Sequence, residues 1–170
     1  MNIIKNIDTS ISRKLTNSNF KSSFLISLLS CISSFSSILV FLITLLIFCN
    51  EKIFLAESAC SLIIATGIVF ILKFTVKRKR NTSNIDTIRQ KIDPYSFPSG
   101  HISRIFSAAS PFYDLLPAAL ITFILGVVVS VARISKGYHY FSDCLVGAFA
   151  GIISSVFAKI ALKTVLAIMF

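Results

Sequence analysis

The feature that most constrains this chain is an uncharged run of 26 residues, from Phe24 to Cys49. A helix rises about 1.5 Å per residue, so about 20 apolar residues are enough to cross the hydrocarbon core of a bilayer. The run is therefore predicted to be a membrane-spanning helix. A second apolar run, from Ile53 to Leu72, follows after a short polar turn and predicts a return crossing.

The composition places the whole chain in the membrane class. Of its 170 residues, 55% are hydrophobic and 14% are charged, and the mean hydropathy is +0.83. Soluble domains carry about 25% charged residues, so this composition argues against a soluble globular enzyme. The 17 Lys and Arg outnumber the 7 Asp and Glu, which gives a net charge of +10. This charge favours membrane lipids with anionic headgroups and phosphate groups as partners, and no nucleic acid is expected.

The apolar pattern predicts an all-α fold, a polytopic membrane helix bundle in a single domain, residues 1–170. In residues 1–23, Ile3, Ile7, Ile11 and Leu15 recur every four residues, which predicts a helix lying in the membrane interface. The bundle itself, residues 24–170, should contain about five membrane-embedded helices. They are predicted at 24–49, 53–72, 99–113, 115–132 and 141–158, the third short and partly polar and the last with an extension past Lys163 left open.

Counting these crossings assigns two distant polar segments to the same side of the membrane. Two crossings bring the chain back before the loop at 73–98, and two more bring it back before the corner at 133–140. The functional site is therefore expected in residues 73–101 and 133–143. The two segments contain both histidines of the chain, His101 and His139.

The spacing of polar residues in these segments favours phosphoryl transfer. Lys and Arg side chains neutralise phosphate oxygens, and the free N–H groups at a helix start favour an anion. One histidine can attack phosphorus while the other protonates the leaving oxygen, and a carboxylate can fix the tautomer of the first. The candidate residues are Lys73, Arg80, Ser99, Gly100, His101, Arg133, His139 and Asp143.

Each element of this pattern also has a structural explanation when it is taken alone. The cations could be charges flanking membrane helices, and His139 with Asp143 could be an ordinary pair one helical turn apart. The agreement in spacing and membrane side favours a site over these explanations. Gly147 and Gly151 have the spacing of a close helix contact, which indicates packing within the chain or a dimer face, so a homo-oligomer is left open.

The combined pattern resembles the three-part signature of the type 2 phosphatidic acid phosphatase (PAP2) superfamily, K-x6-RP, PSGH and SR-x5-H-x3-D. The resemblance covers residues 60–158. The sequence departs from the signature at Asn81, where the family has Pro, and at Ala132, where the family has Ser. Neither departure removes a charged or nucleophilic group, so activity is expected to survive.

The resemblance implies a catalytic role for each matched residue. His139 would be the nucleophile that forms a phosphohistidine, Asp143 would orient it, and His101 would be the general acid. The phosphate would be bound by Lys73, Arg80, Ser99, Gly100 and Arg133. The family uses no cofactor and no metal, and the acidic residues of the two segments are too few for a two-metal site.

The resemblance also implies a class of substrate. The stretch from Asp93 to His101 and the basic residues between Lys73 and Arg80 resemble the polyisoprenoid diphosphate phosphatases, which predicts an isoprenoid diphosphate. Phosphatidate, phosphatidylglycerophosphate and lipid A phosphate are alternative substrates. A protein that binds or transports anionic lipid without catalysis is an alternative of another class. The membrane side of the site is left open, because the positive-inside rule indicates the cytoplasm and the bacterial members it resembles place the site outside.

Overall fold

The computed structural model describes residues 2–16, 52–80 and 93–169, and within them the regular secondary structure is helical, with one isolated β-bridge between Lys79 and Tyr95. The predicted crossing at 24–49 and the departure at Asn81 lie outside the described residues. In the described part of the chain, a 3-10 turn, Ser110–Phe112, contains Pro111. The α-helices of the described ranges are α1 (Asn2–Thr16), α2 (Lys52–Val76), α3 (Gly100–Ala108), α4 (Leu116–Ser135) and α5 (Phe141–Met169).

Three of these helices, α2, α4 and α5, are long and apolar enough to cross a membrane. The protein is therefore an integral, multi-pass membrane protein, as the composition predicted. α5 runs well past Lys163, which settles the extension that the sequence left open. α3 has nine residues and covers only about 13 Å, less than half of the hydrocarbon core. The helix predicted at 99–113 thus ends at Ala108.

α3 and the turn after it run along α2, from the C-terminal part of α2 towards its N-terminal part. Gly100 lies against Val69 of α2, and the Ser110 hydroxyl donates a hydrogen bond to Glu57 at 2.5 Å. Val69 follows Glu57 by twelve positions, which corresponds to about 18 Å along a helix axis. α4 then returns over this distance, so the segment after α2 and the corner between α4 and α5 meet at the same end of the bundle.

Two glycines of α5 allow α3 to approach at backbone contact. A Cβ atom on Gly147 would lie 2.5 Å from the carbonyl oxygen of Ser99, and one on Gly151 would lie 2.5 Å from that of Ser103. At the same junction, the backbone N–H of Ser99 donates to the carbonyl of Asp143 at 2.9 Å. The glycine spacing therefore serves packing within the chain, and it sets the start of α3 against the start of α5.

The predicted N-terminal helix is present as α1, and its placement in the membrane interface stays a prediction. α1 packs on the ends of α4 and α5, where the Thr16 hydroxyl donates to the Ile134 carbonyl at 3.0 Å. The apolar residues that recur every four positions in α1 do not all contact the bundle, because Ile7 is exposed whereas Leu15 packs against the apolar core. That core consists of Ile102, Phe106, Val129, Ile134 and Cys144.

The α3–α5 contact predicts that Gly147→Ala is destabilising, because the added methyl group meets a backbone carbonyl that cannot move alone. Overpacking of this kind costs about 1–3 kcal/mol. Gly67→Ala in α2 is the matched control, since nothing lies within 4 Å of its Cβ position. Thermal unfolding in detergent should show a lower Tm for Gly147→Ala and an unchanged or higher Tm for Gly67→Ala. Equal Tm values for the two variants would contradict the close approach.

Candidate active site

A pocket of about 420 Å³ opens where α2, α3 and the corner before α5 meet. It is lined by basic and imidazole groups and by apolar side chains of α2. Six of the eight predicted site residues line it, and the remaining two, Ser99 and Asp143, lie behind its wall. The lining residues from the predicted set are Lys73, Arg80, Gly100, His101, Arg133 and His139.

His139 is held in a defined tautomer by a backbone carbonyl. Its side chain is 2% exposed, and its Nδ1 lies 2.7 Å from the carbonyl oxygen of Ser96. A carbonyl can only accept, so Nδ1 carries the proton and the lone pair is on Nε2. Burial lowers the pKa of His139 to about 4, with the cationic neighbours Arg133 and Arg80 contributing and the carboxylate of Asp143 opposing. The imidazole is therefore neutral and nucleophilic at pH 7.

Asp143 is fully buried next to His139 but does not hydrogen-bond to it. Its Oδ2 lies 3.8 Å from His139 Nδ1 and accepts the backbone N–H of Tyr140 at 2.8 Å, which caps the start of α5. Its Oδ1 accepts from Arg78 Nη1 at 2.9 Å. The influence of Asp143 on the imidazole is therefore electrostatic, whereas the Ser96 carbonyl makes the hydrogen bond.

Two of the predicted phosphate ligands hold a carboxylate group of the chain itself. Lys73 Nζ lies 2.5 Å from both carboxylate oxygens of Asp93, and Arg80 Nη2 lies 3.0 Å from Oδ2. Arg80 also donates to the Asp93 carbonyl at 2.9 Å. Asp93 is half-exposed at the pocket surface, with 40% of its side chain accessible. Lys73 and Arg80 are thus already oriented towards a common pair of anionic oxygens.

The two histidines and two further arginines complete the polar wall. The rings of His101 and His139 lie 6.4 Å apart between centroids. Arg133 is buried, with its guanidinium 4.7 Å from the centre of the Tyr138 ring. Arg104, which the sequence analysis missed, also lines the pocket. Its position one helical turn after His101 was a usable signal, because residues three apart on a helix share a face.

Ser99 occupies a different place from the one the sequence suggested. Its side chain is fully buried outside the pocket lining, and its hydroxyl makes no capping hydrogen bond to α3. The backbone contributes instead, because the N–H of Ser99 binds the Asp143 carbonyl and its carbonyl lies against Gly147. Ser99 therefore joins α3 to α5, and Gly100 forms the adjacent pocket wall.

The described residues offer no ready metal site. Within residues 2–16, 52–80 and 93–169, no group of three His, Cys, Asp or Glu side chains is arranged to hold a metal ion. Asp86, one of the acidic residues of the predicted site segments, lies outside these ranges. The pocket is lined by the side chains of Lys and Arg and by Gly100 at the start of α3.

Comparison with known proteins assigns the chain to a family. The model of the PAP2 superfamily matches residues 54–166, so the chain belongs to the PAP2 superfamily, as its motifs predicted. The probable lipid phosphate phosphatase beta of Arabidopsis thaliana is 29% identical over 136 residues. That match covers 62% of this chain and 64% of the plant protein, so the chain spans just under two thirds of its relative's length.

Solved structures share the fold at low identity. The crystal structure of Aquifex aeolicus LpxE matches with a TM-score of 0.74 and 22% identity, covering 90% of this chain and 94% of that one. A PAP2-type phosphatidylglycerolphosphate phosphatase from Bacillus subtilis matches with a TM-score of 0.75 and 17% identity, covering 96% and 88%. The predicted helical, PAP2-like architecture is therefore confirmed, whereas the isoprenoid diphosphate subtype stays a prediction.

The buried position of His139 predicts how this histidine titrates. We expect its ¹⁵N-labelled ring to stay neutral, with the proton on Nδ1, until the pH approaches 4, because protonation would add a charge to a buried site lined by cations. Nitrogen chemical shifts measured in detergent between pH 4 and 8 test this. The spectrum of His101→Gln shows which signals belong to His139. A titration of His139 near the ordinary value of about 6.5 would contradict it.

Proposed function

We propose that this protein is a membrane phosphatase that removes a phosphate group from an isoprenoid diphosphate by way of a phosphohistidine. One observation carries the proposal: a neutral, tautomerically defined His139 shares a pocket with His101 and four basic side chains. A nucleophile, a proton donor and an anion clamp are the parts that phosphoryl transfer requires. The basic side chains are Lys73, Arg80, Arg104 and Arg133.

In the first half of the proposed reaction, Nε2 of His139 forms a bond to phosphorus. The bond between phosphorus and the leaving oxygen breaks, and His101 donates a proton to that oxygen. The imidazole of His139 becomes cationic, and the nearby negative charge of Asp143, 3.8 Å from Nδ1, stabilises it. Charge on the phosphoryl oxygens is neutralised by the basic side chains as it develops.

In the second half, water attacks the phosphohistidine. His101, now neutral, accepts a proton from that water as the phosphorus–nitrogen bond breaks. Inorganic phosphate leaves, His139 regains its lone pair on Nε2, and His101 is again protonated. The same residue thus acts first as an acid and then as a base, which returns both histidines to their starting states.

Substrate entry requires an exchange of anions at Lys73 and Arg80. Both cations hold the carboxylate of Asp93, so the incoming phosphate replaces that carboxylate. The exchange is feasible because Asp93 is 40% exposed and can turn towards water. A phosphate group has more charge and more acceptor oxygens than a carboxylate, which favours the replacement.

Arg104 supports a diphosphate over a phosphate monoester. It lies outside the three sequence motifs, yet it lines the pocket beside Lys73, Arg80 and Arg133. A diphosphate has more negative charge than a monoester and needs more positive charge around it. Because Arg104 follows His101 by one helical turn, it lies on the side of the general acid, where the proposed reaction leaves the phosphate that stays on the lipid.

The apolar wall of the pocket supports a lipid as the rest of the substrate. Phe70 and Phe74 of α2 line the pocket, and 61% of the Phe70 side chain is exposed on the outer face of this membrane-spanning helix. A substrate with its phosphate among the cations could therefore extend its hydrocarbon chain along α2 into the bilayer. This arrangement suits a phosphorylated lipid better than a soluble phosphate ester.

The proposed chemistry predicts that His139→Ala loses nearly all turnover, since no other side chain of the pocket can replace the nucleophile. Release of phosphate from farnesyl diphosphate in detergent micelles containing EDTA measures it, with wild type beside the variant. His139→Asn is the second variant, because its amide can still donate to the Ser96 carbonyl and preserve the local packing. Substantial activity in both variants would overturn the assignment of His139.

The same assay distinguishes the proposed substrate from the alternative lipid substrates and from a non-catalytic function. A substrate panel of farnesyl diphosphate, phosphatidate, phosphatidylglycerophosphate and lipid A phosphate identifies the preferred lipid. Wild-type protein that is inactive on the whole panel, yet binds anionic lipid equally well without His101 and His139, would favour the non-catalytic alternative.

The diphosphate preference predicts a selective defect for Arg104→Gln. Loss of a charge-assisted hydrogen bond costs about 1.5–3 kcal/mol, so kcat/KM for farnesyl diphosphate should fall about tenfold or more. For farnesyl monophosphate, we expect a much smaller decrease. Arg104→Lys keeps the charge and should retain part of the preference. An equal loss on both substrates would contradict the role of Arg104 in selecting a diphosphate.

A further inference from the structure

A second cluster of charged side chains lies behind the pocket, where three separate parts of the chain meet. Asp8 comes from α1, Arg78 from the segment after α2, and Ser142 and Asp143 from the first turn of α5. Asp8 is 7% exposed and Asp143 is fully buried. Apart from Asp143, these residues are not among the positions that the family motifs specify.

Asp8 uses both of its carboxylate oxygens in this cluster. Oδ1 accepts the backbone N–H of Ser142 at 2.9 Å, and Oδ2 accepts from the Ser142 hydroxyl at 2.7 Å and from Arg78 Nη2 at 2.6 Å. Burial raises the pKa of Asp8, but the hydrogen bonds from Arg78 and Ser142 outweigh it and hold the pKa below its ordinary value. Asp8 is therefore ionised, and it lies at the N-terminus of α5, where a negative charge is favourable.

Arg78 connects this carboxylate to the one beside the nucleophile. While Nη2 binds Asp8, Nη1 donates to Asp143 Oδ1 at 2.9 Å and to the Ser142 hydroxyl at 2.7 Å. The guanidinium also lies over the Tyr140 ring, 3.7 Å from its centre. A planar group that is bound at both ends and stacked on one face has one available orientation.

The orientation of Arg78 decides which way the Asp143 carboxylate faces. With Oδ1 held by Arg78 and Oδ2 by the Tyr140 N–H, the carboxylate cannot rotate, and Oδ2 stays on the side of His139. Without Asp8, Arg78 would lose its strongest partner outside α5 and could move with Asp143. The position of the charge next to the imidazole therefore depends on a residue of the N-terminal helix.

We infer that Asp8 is a positioning residue of the active site, and that α1 orients Asp143 against His139 through Arg78. The inference rests on the proposed function, because the effect is on the histidine that would attack phosphorus. Asp8 and Arg78 do not line the pocket, so we expect their substitution to leave phosphate binding unchanged. The effect falls on the transition state, in which the imidazole of His139 becomes cationic.

The test is Asp8→Asn, which keeps the shape of the side chain and removes its charge. A misplaced catalytic group commonly costs about 10- to 100-fold, so we expect kcat to fall by at least tenfold while KM changes less than about twofold. Inhibition distinguishes positioning from a structural role. Orthovanadate resembles the five-coordinate transition state and should bind about tenfold more weakly, whereas inorganic phosphate should bind as to wild type.

Two control variants match Asp8→Asn. Thr16→Val removes the hydrogen bond from α1 to the Ile134 carbonyl, so it weakens the docking of the helix without touching the ion cluster. Asp114→Asn makes the same chemical change at an exposed carboxylate paired with Lys159. Both should keep the wild-type kcat and the wild-type ratio of vanadate to phosphate inhibition. The same loss of kcat in Thr16→Val would show that general docking of α1 is responsible and would overturn the inference.

A double-variant cycle with Arg78→Gln provides a second, independent measurement. If Asp8 acts through Arg78, each single variant lowers kcat, and the double variant is no worse than Arg78→Gln alone. Additive losses would overturn the inference. Wild-type activity that requires His139 but is unchanged in Asp8→Asn would overturn it while leaving the proposed function intact. Absence of wild-type activity on the whole substrate panel would overturn the proposed function instead.

Discussion

The backbone contact between α3 and α5 is the constraint on which the rest of the site depends. Gly147 and Gly151 carry no side chains, so the carbonyls of Ser99 and Ser103 reach the surface of α5. This contact brings the start of one helix, with His101, next to the start of another, which follows His139. Any larger residue at Gly147 would separate the two histidines, and the pocket between them would lose its shape.

The charges of the site are compensated in two layers. In the outer layer, Lys73 and Arg80 share Asp93, which is exposed enough to be exchanged for a substrate anion. The inner layer is the cluster of Asp8, Arg78 and Asp143, whose ion pairs lie away from the pocket. A buried charge without a partner is costly, so the inner pairs stay together while the outer pair can open. A polar site can thus exist at the end of an apolar bundle, and in the proposed reaction its outer cations are released to bind a phosphate group.

Much of the pocket was predictable because its residues lie at the ends of helices that cross a membrane. The sequence predicted two crossings between Lys73 and His139, which return the chain to the same side. The first of them is made by the short helix α3 together with the turn after it, because α3 alone covers less than half of the hydrocarbon core. Arg104 could also have been predicted from the sequence as a pocket residue, since helical periodicity places it beside His101. The sequence did not predict the place of Ser99. Its position at a helix start and the family resemblance implied a phosphate ligand, whereas its buried side chain lies outside the pocket lining.

The contacts of Asp8 and Ser96 could not be predicted from their spacing. Asp8 lies 70 residues from Arg78 and 134 from Ser142, and no periodic pattern links positions so far apart. The Ser96 carbonyl belongs to a non-helical segment before α3, and a carbonyl group gives no signal in the sequence. Its position depends on how that segment packs against the corner before α5.

The length of the apolar runs and the spacing of the motifs are local properties of the sequence, and they determined the membrane class, the helical architecture and the superfamily of this chain. Tertiary packing decided which nitrogen of His139 carries the proton and which carboxylates Arg78 joins. It also decided that the paired glycines serve a contact within the chain. The physical reason is that burial and hydrogen bonding set protonation and orientation, and both arise only when distant segments come into contact.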